Sequence, residues 1–388
     1  MSSSFDPNTV DLDTADPAAI ICYLNAGKNE YDGHLGTRIS ALFVILILSS
    51  AATLFPVLAV RMRWMKIPIY VYLFARYFGA GVIIATAFIH LLDPAYSEIG
   101  PLTCVGMTGG WASYSWPPAI VLITTMLIFL LDFAAERYVE IKYGYADAYP
   151  DVEGIVTEPG DKSGAKQRPS HPPLDSGNPD DQIVHGRPGS PALQVQTLDK
   201  AGLDRGSNRE HGVGLAQLSV EAEERSFRTQ IAAFLILEFG VIFHSVIIGL
   251  KLGTAGSEFS TLYPVIVFHQ AFEGLGIGAR MSAIPFPKRL SWLCWSLCAG
   301  YGLTTPIAIA IGLGLRTTYN SGSFTASVVS GVLDSISAGI LIYTGLVELL
   351  ARDFLFNQER TRDGRQLAFM VTSLFIGAAL MALLGKWA

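Results

Sequence analysis

The sequence has few charged residues and lacks the motifs of soluble metal enzymes. Only 15% of its 388 residues are charged, whereas soluble domains carry about a quarter. The formal net charge is −6 and no basic cluster is present, so we expect no nucleic-acid partner. The chain contains four cysteines without a CxxC pattern, and it has no HExxH sequence of the kind found in zinc hydrolases. Apolar sequence is therefore its dominant feature.

Long apolar runs take the place of charged sequence. A helix needs about 20 apolar residues to cross a membrane, and continuous runs favour helices over the alternating strands of a barrel. The sequence therefore predicts an all-α integral membrane protein, with eight transmembrane helices in a bundle and membrane lipid as a partner. The predicted spans are 38–60, 68–91, 117–135, 229–252, 260–281, 289–314, 325–349 and 366–386.

Arg and Lys are distributed unevenly among the short connections. The connections that contain or border several basic residues are 61–67, 282–288 and 350–365. Two of the opposite connections, 92–116 and 253–259, contain neither Lys nor Arg. Because basic loops face the cytoplasm, both termini are predicted to be extracellular. Cys22 and Cys104 then lie outside the cell, where a disulfide is allowed, but the sequence leaves their pairing open.

Two segments outside the predicted spans are polar. Residues 1–37 are predicted to form an extracellular tail that is flexible. The segment 136–228 is rich in Pro, Gly, Asp and Ser and has no sustained apolar period, which predicts a disordered cytoplasmic loop. It would separate transmembrane helices 1–3, within 38–135, from helices 4–8, within 229–388.

The fourth and fifth predicted spans carry ionisable residues at membrane depth. Their sequences are HSVIIGLKLG, from His244, and HQAFEGLGIGAR, from His269. Ionisable groups in lipid are costly and mark pathways or binding sites. His269 and Glu273 share one helical face, and a rise of about 1.5 Å per residue puts His244 level with His269. Since imidazole and carboxylate suit a borderline divalent cation, we predict that His244, His269 and Glu273 bind metal.

Other polar residues have two interpretations each. Ser245 and Gln270 either supply oxygen to the metal or a neighbouring ion, or form interhelical hydrogen bonds. His90 and Asp93 end the second predicted span, where they either receive a cation at the external entrance or form an ordinary interfacial pair. Lys251 is expected to extend to the outer surface.

Smaller features complete the prediction for the membrane region. Asp334 and Glu348 lie near predicted helix ends, and a wet interface explains them. Glycines surround the candidate ligands on both helices, which favours close approach of those helices. These glycines are Gly240, Gly249, Gly253, Gly274, Gly276 and Gly278.

The two motifs together resemble the signature of the ZIP family of zinc and iron permeases, specifically its fungal and plant branch. The resemblance extends over nearly the whole chain, including GVIIATAFIHLLDP in the second span and LDSISAGILIYTGLVELLARDF in the seventh. It implies a plasma-membrane transporter that carries Zn²⁺, or in some members Fe²⁺, into the cytoplasm without a prosthetic cofactor. By position it implies ligation by His244, His269 and Glu273, a second metal at Ser245 and Gln270, and external uptake through His90 and Asp93.

The chain also departs from the family pattern. Ile248 stands where some relatives have a glutamate, which argues against two metals. Lys251 stands where a small polar residue is expected, and its charge would oppose cation entry. The segment 136–228 lacks the HxHxH cluster that many relatives use to sense metal.

Three functional questions stay open at this point. Imidazole and carboxylate serve both Zn²⁺ and Fe²⁺, so the preferred metal is undecided. An intramembrane zinc hydrolase would also use three ligands and a water, but no separate general base stands out, so we do not expect an enzyme. A homodimer is compatible with the sequence.

Overall fold

The computed structural model describes residues 11, 14–25, 31–62, 68–143, 207–356 and 361–387. All regular secondary structure in these ranges is helical. The chain divides into one compact unit of residues 1–144 and 220–388 and another of residues 145–219. The apolar helices and the candidate ligands belong to the first unit.

Ten α-helices occur in the described ranges. They are α1 (Pro17–Asn25), α2 (Leu35–Arg61), α3 (Ile69–Ala85), α4 (Asp93–Ile99), α5 (Trp116–Tyr143), α6 (Ser207–Thr254), α7 (Phe259–Ala283), α8 (Ser291–Leu315), α9 (Phe324–Tyr343) and α10 (Gly364–Leu384). A π-helix, Thr86–Leu92, joins α3 to α4, and a second, Thr344–Phe356, continues α9. Short 3₁₀ turns lie at Gly109–Ser113 and Lys288–Leu290.

Seven helical stretches in the described residues are long and apolar enough to cross a membrane. They are Leu35–Arg61, Ile69–Ile99, Trp116–Lys142, Ser226–Thr254, Lys288–Leu315, Phe324–Phe356 and Gly364–Leu384. The protein is therefore an integral membrane protein. Helix α7 is also long, at 25 residues, but His269, Gln270 and Glu273 make it less apolar than these seven. The count of eight spans and the external position of the termini stay predictions.

Helix α7 packs against α2 and α3, and glycine permits both contacts. At Gly276 an added Cβ would collide with the backbone of Gly79 in α3, and at Gly278 it would collide with the carbonyl of Thr53 in α2. Only a residue without a side chain allows backbones to approach this closely. Helix α7, which carries His269 and Glu273, is consequently packed closely against α2 and α3.

The glycines of α6 face partners other than α7. An added Cβ on Gly249 would meet the backbone of α8 at Thr305, and one on Gly253 would meet Gly312, also in α8. Gly240 faces Ile340 of α9. The predicted role of glycine in close helix contacts holds, but the close contacts of these α6 glycines are with α8 and α9 and not with α7.

The polar segments contain helical structure at several places. Residues 17–25 of the predicted tail form α1, and a disulfide joins Cys22 to Cys104 with the two Cα atoms 4.4 Å apart. This bond ties α1 to the connection before α5. The first and last parts of segment 136–228 continue α5 and begin α6, and its central part lies outside the described residues.

Candidate metal site

The structure brings His244 of α6 together with His269 and Glu273 of α7. The two Nε2 atoms are 3.2 Å apart, and Nε2 of His269 lies 3.4 Å from Oε1 of Glu273. One nitrogen or oxygen atom from each residue lies within 4.8 Å of the others. In a tetrahedral zinc site with bonds of about 2.05 Å, neighbouring ligand atoms are separated by about 3.3 Å. The separations of 3.2 and 3.4 Å are close to this value, and the third pair of ligand atoms lies within 4.8 Å.

The triad is shielded from solvent and has few protein partners. The three side chains are at most 1% exposed. Neither oxygen of Glu273 accepts a hydrogen bond from the described residues, and Nδ1 of His244 has no hydrogen-bond partner among them. Buried polar groups normally pair, and an ionised carboxylate in an apolar surrounding is costly without a countercharge. The lone pairs of this cluster are thus available to a cation.

His90 lies beside the triad. Its ring meets that of His269 edge to face, with the centroids 4.6 Å apart, and its Nε2 is 2.9 Å from the carbonyl oxygen of Met381. His90 is only 6% exposed. It lies in the π-helix Thr86–Leu92, just before Pro94, which has no N–H to continue the α-helical ladder to the His90 carbonyl. The wider turn of this π-helix occurs at the residue whose ring is buried against His269.

A cavity of about 490 Å³ connects the histidines to one end of the bundle. At its inner end it is lined by His90, His244 and His269, and at its mouth by the loops 255–258 and 319–322. Asp93 also lines the cavity and is exposed. Both members of the predicted entry pair therefore line the cavity, with His90 buried beside the triad and Asp93 exposed. Their use in cation entry stays a prediction.

Gln270 has a hydrogen-bond partner in α8, whereas Ser245 has none among the described residues. The hydroxyl of Tyr301 in α8 donates to the backbone carbonyl of Gln270 at 2.9 Å, and its Oε1 lies 3.2 Å away. Both Ser245 and Gln270 are buried, and Ser245 Oγ has no hydrogen-bond partner among the described residues. Gln270 therefore links α7 to α8, and a second metal at these two residues stays a prediction.

Three carboxylates outside the triad, Glu238, Asp334 and Glu348, are buried. Asp334 and Glu348 are each 2% exposed, so the expectation of a wet interface is wrong. Glu348 lies 2.8 Å from Arg352 and 3.7 Å from Arg280. Glu238 is 3% exposed, and its oxygens accept no hydrogen bond from the described residues. A position near the end of a helix therefore does not predict exposure to solvent where neighbouring helices cover that end.

Lys251 has a specific partner that the sequence did not reveal. Its Nζ lies 3.2 Å from Oε1 of Glu98 in α4, and both residues line the cavity. The Lys251 side chain is 37% exposed; its extension to the outer surface stays a prediction, and the ion pair was not part of it. Glu98 and Lys251 are 153 positions apart in the sequence, so no local motif could indicate that they pair.

An apolar helical bundle with a polar cavity leading to buried histidines is typical of helical membrane transporters. Sequence comparison agrees with this class and identifies the family within it. The chain belongs to the ZIP zinc transporter family, whose sequence model matches residues 35–385.

Similar proteins occur in fungi and plants. The chain is 51% identical to zinc-regulated transporter 1 of Saccharomyces cerevisiae, over 99% of this chain and 97% of that protein. It is 40% identical to zinc-regulated transporter 1 of Schizosaccharomyces pombe, over 98% and 92% respectively. It is also 31% identical to Fe(2+) transport protein 3, chloroplastic, of Arabidopsis thaliana, over 90% and 84%. No solved structure matches the chain.

Proposed function

We propose that this protein imports Zn²⁺ across the plasma membrane into the cytoplasm, and that His244, His269 and Glu273 bind the ion in transit. The observation that carries the proposal is the buried triad, whose ligand atoms lie within 4.8 Å of one another and whose two histidines line a cavity. Two imidazoles and one carboxylate form a donor set that suits Zn²⁺. The family membership and the names of the fungal relatives support zinc as the cargo.

The direction of transport rests on the predicted topology. We propose that α7 crosses the membrane in addition to the seven apolar stretches, which gives eight spans. Both termini then lie outside the cell. The mouth of the cavity, next to the end of α6, would then be extracellular. A cation entering there exchanges its water for the two imidazoles and the carboxylate before α6 and α7 open toward the cytoplasm.

Fe²⁺ is the second candidate cargo. The plant relative named as an Fe(2+) transport protein supports it, and the donor set does not exclude it. A zinc hydrolase is less well supported, because the family and its fungal and plant relatives are named as transporters.

Metal-competition uptake tests the proposal. Radiolabelled zinc uptake would be measured in cells that lack their own zinc importers, with Fe²⁺, Mn²⁺ and Cd²⁺ as competitors. The variants His244→Ala, His269→Ala and Glu273→Ala should each lose saturable uptake at unchanged surface abundance. His34→Ala, at an exposed histidine outside the triad, is the matched control and should behave like the wild type. Normal uptake by any triad variant would remove that residue from the site.

A further inference from the structure

A second group of charged side chains lies in the same cavity, nearer its mouth. Glu98 of α4 and Lys251 of α6 form a salt bridge of 3.2 Å. Both line the cavity that reaches His244 and His269. Lys251 follows His244 by seven residues, which corresponds to roughly 10 Å along the helix. A cation moving inward from the mouth therefore passes the ammonium group before it reaches the triad.

Asp334 of α9 completes this group. Its side chain lines the cavity but is only 2% exposed. Its carboxylate forms no hydrogen bond and no salt bridge within the described part of the chain. An added Cβ on Gly331, one turn before Asp334 in α9, would lie 3.1 Å from Cβ of Glu98, so α4 and α9 approach each other closely beside Asp334. Two carboxylates from different helices thus share this part of the cavity with one ammonium group.

We propose that Glu98 and Asp334 form a separate binding site for divalent cations at the cavity mouth, and that the ammonium of Lys251 occupies this site until an incoming cation displaces it. The inference rests on the proposed function, because it assumes that cations enter through this cavity. It assigns Lys251 a role as a tethered competitor for the mouth site.

The chemistry of the group fits this exchange. Lysine places a single positive charge on a flexible four-carbon stem, so it can leave a carboxylate without moving the backbone. A divalent cation interacts with two carboxylates about twice as strongly as the ammonium at the same distance. Carboxylates alone favour hard cations such as Ca²⁺ and Mg²⁺ and do not select Zn²⁺. The mouth site would concentrate divalent cations in general, while the imidazoles of the triad select among them.

The occupying ammonium also limits how long a competing hard cation can remain. Without Lys251, the carboxylate pair would carry two uncompensated negative charges at the mouth of the path. Ca²⁺, which is abundant outside cells, would then bind there and obstruct zinc. The positive charge of Lys251 would in this way keep the path open to zinc instead of opposing cation entry.

The proposal is tested by a charge cycle, in which the charges of Lys251 and Glu98 are removed singly and together and zinc uptake is measured. Lys251→Gln should lower the KM for Zn²⁺ about fivefold and make uptake sensitive to competitive inhibition by millimolar Ca²⁺. Glu98→Gln leaves the ammonium without its nearest partner and should raise the KM about fivefold. The double variant Glu98→Gln/Lys251→Gln should return the KM toward the wild-type value without calcium inhibition. Asp334→Asn in the Lys251→Gln background should also remove calcium inhibition.

Surface abundance and a distant charge variant control the interpretation. Lys386→Gln removes a positive charge near the same end of the bundle, outside the carboxylate pair, and should leave KM and calcium sensitivity unchanged. If Lys251→Gln imports zinc with an unaltered KM and no inhibition by Ca²⁺, the mouth site is refuted. It is refuted as well if the variants differ only in the amount of protein at the surface, since a purely structural salt bridge would act that way.

The two proposals fail in different ways. If the wild-type protein imports no zinc, the proposed function is wrong, and the mouth site, which depends on cation entry through this cavity, is wrong with it. If the wild type imports zinc through the triad but the charge cycle leaves KM unchanged, only the mouth site is wrong.

Discussion

The imidazole rings of His90 and His269 meet edge to face, with their centroids 4.6 Å apart, although they lie on different helices far apart in the sequence. Nε2 of the same His269 ring lies 3.2 Å from Nε2 of His244 and 3.4 Å from Oε1 of Glu273. His90 is thereby suited to hold the His269 ring in the orientation that cation binding needs.

Replacing His90 should impair the triad without abolishing it. His90→Ala removes the ring contact, and aromatic pairs of this kind contribute about 0.5–1.5 kcal/mol. We therefore expect the KM for zinc uptake to rise up to about tenfold, with Vmax per surface molecule changing less. His90→Phe keeps a ring of similar size and should recover part of the loss. Complete loss of uptake in both variants would instead indicate that His90 binds the ion directly.

Gly276 should tolerate no side chain. Gly276→Ala places a Cβ against the backbone of Gly79, and overpacking of this kind costs about 1–3 kcal/mol. We expect a lower thermal midpoint for the detergent-purified protein and less of it at the cell surface. Gly300→Ala is the matched control, because a Cβ at Gly300 meets nothing within 4 Å. Equal stability of the two variants would contradict the close α3–α7 contact.

The disulfide should stabilise the fold without taking part in ion binding. Cys22→Ser removes a bond that closes a loop over 82 residues of separation, and such bonds typically contribute about 2–4 kcal/mol. We expect a lower thermal midpoint and nearly unchanged KM for zinc. Thiol labelling of the unfolded protein without reductant should detect one additional cysteine, Cys104. Cys294→Ala, at a free cysteine, should remove one label instead. If Cys22→Ser labels one cysteine fewer than the wild type, the bond does not form.

The pairing of Arg76 with Asp353 should matter more for stability than an exposed ion pair. Three contacts of 2.8–3.1 Å join the guanidinium to the carboxylate, and Asp353 is 9% exposed. Because removal of Arg76 leaves a mostly buried carboxylate, Arg76→Met should cost about 2–4 kcal/mol. Arg137→Met breaks an exposed pair with Glu140 and should cost less than about 1 kcal/mol. Thermal unfolding in detergent compares the two, and similar losses would show that burial does not distinguish these pairs.

Local chemistry was sufficient for much of the prediction. Apolar runs determined that the chain is a helical membrane protein, because a bilayer accepts long apolar helices and little else. Helical spacing alone put His269 and Glu273 on one face, and the two motifs identified the family. The position of His244 opposite His269 followed from a rise per residue that is nearly constant in every α-helix. Its use in binding metal is still a prediction.

Only the tertiary structure decided which distant side chains meet. The salt bridge between Lys251 and Glu98, the contact of His90 with His269, and the burial of Asp334 all depend on how separate helices are rotated and packed. Helical periodicity defines the faces of one helix, but the partner of each face is set by packing among all of them. For that reason the two candidate ligand helices were evident from the residues themselves, whereas the charged mouth of the cavity that leads to them was not.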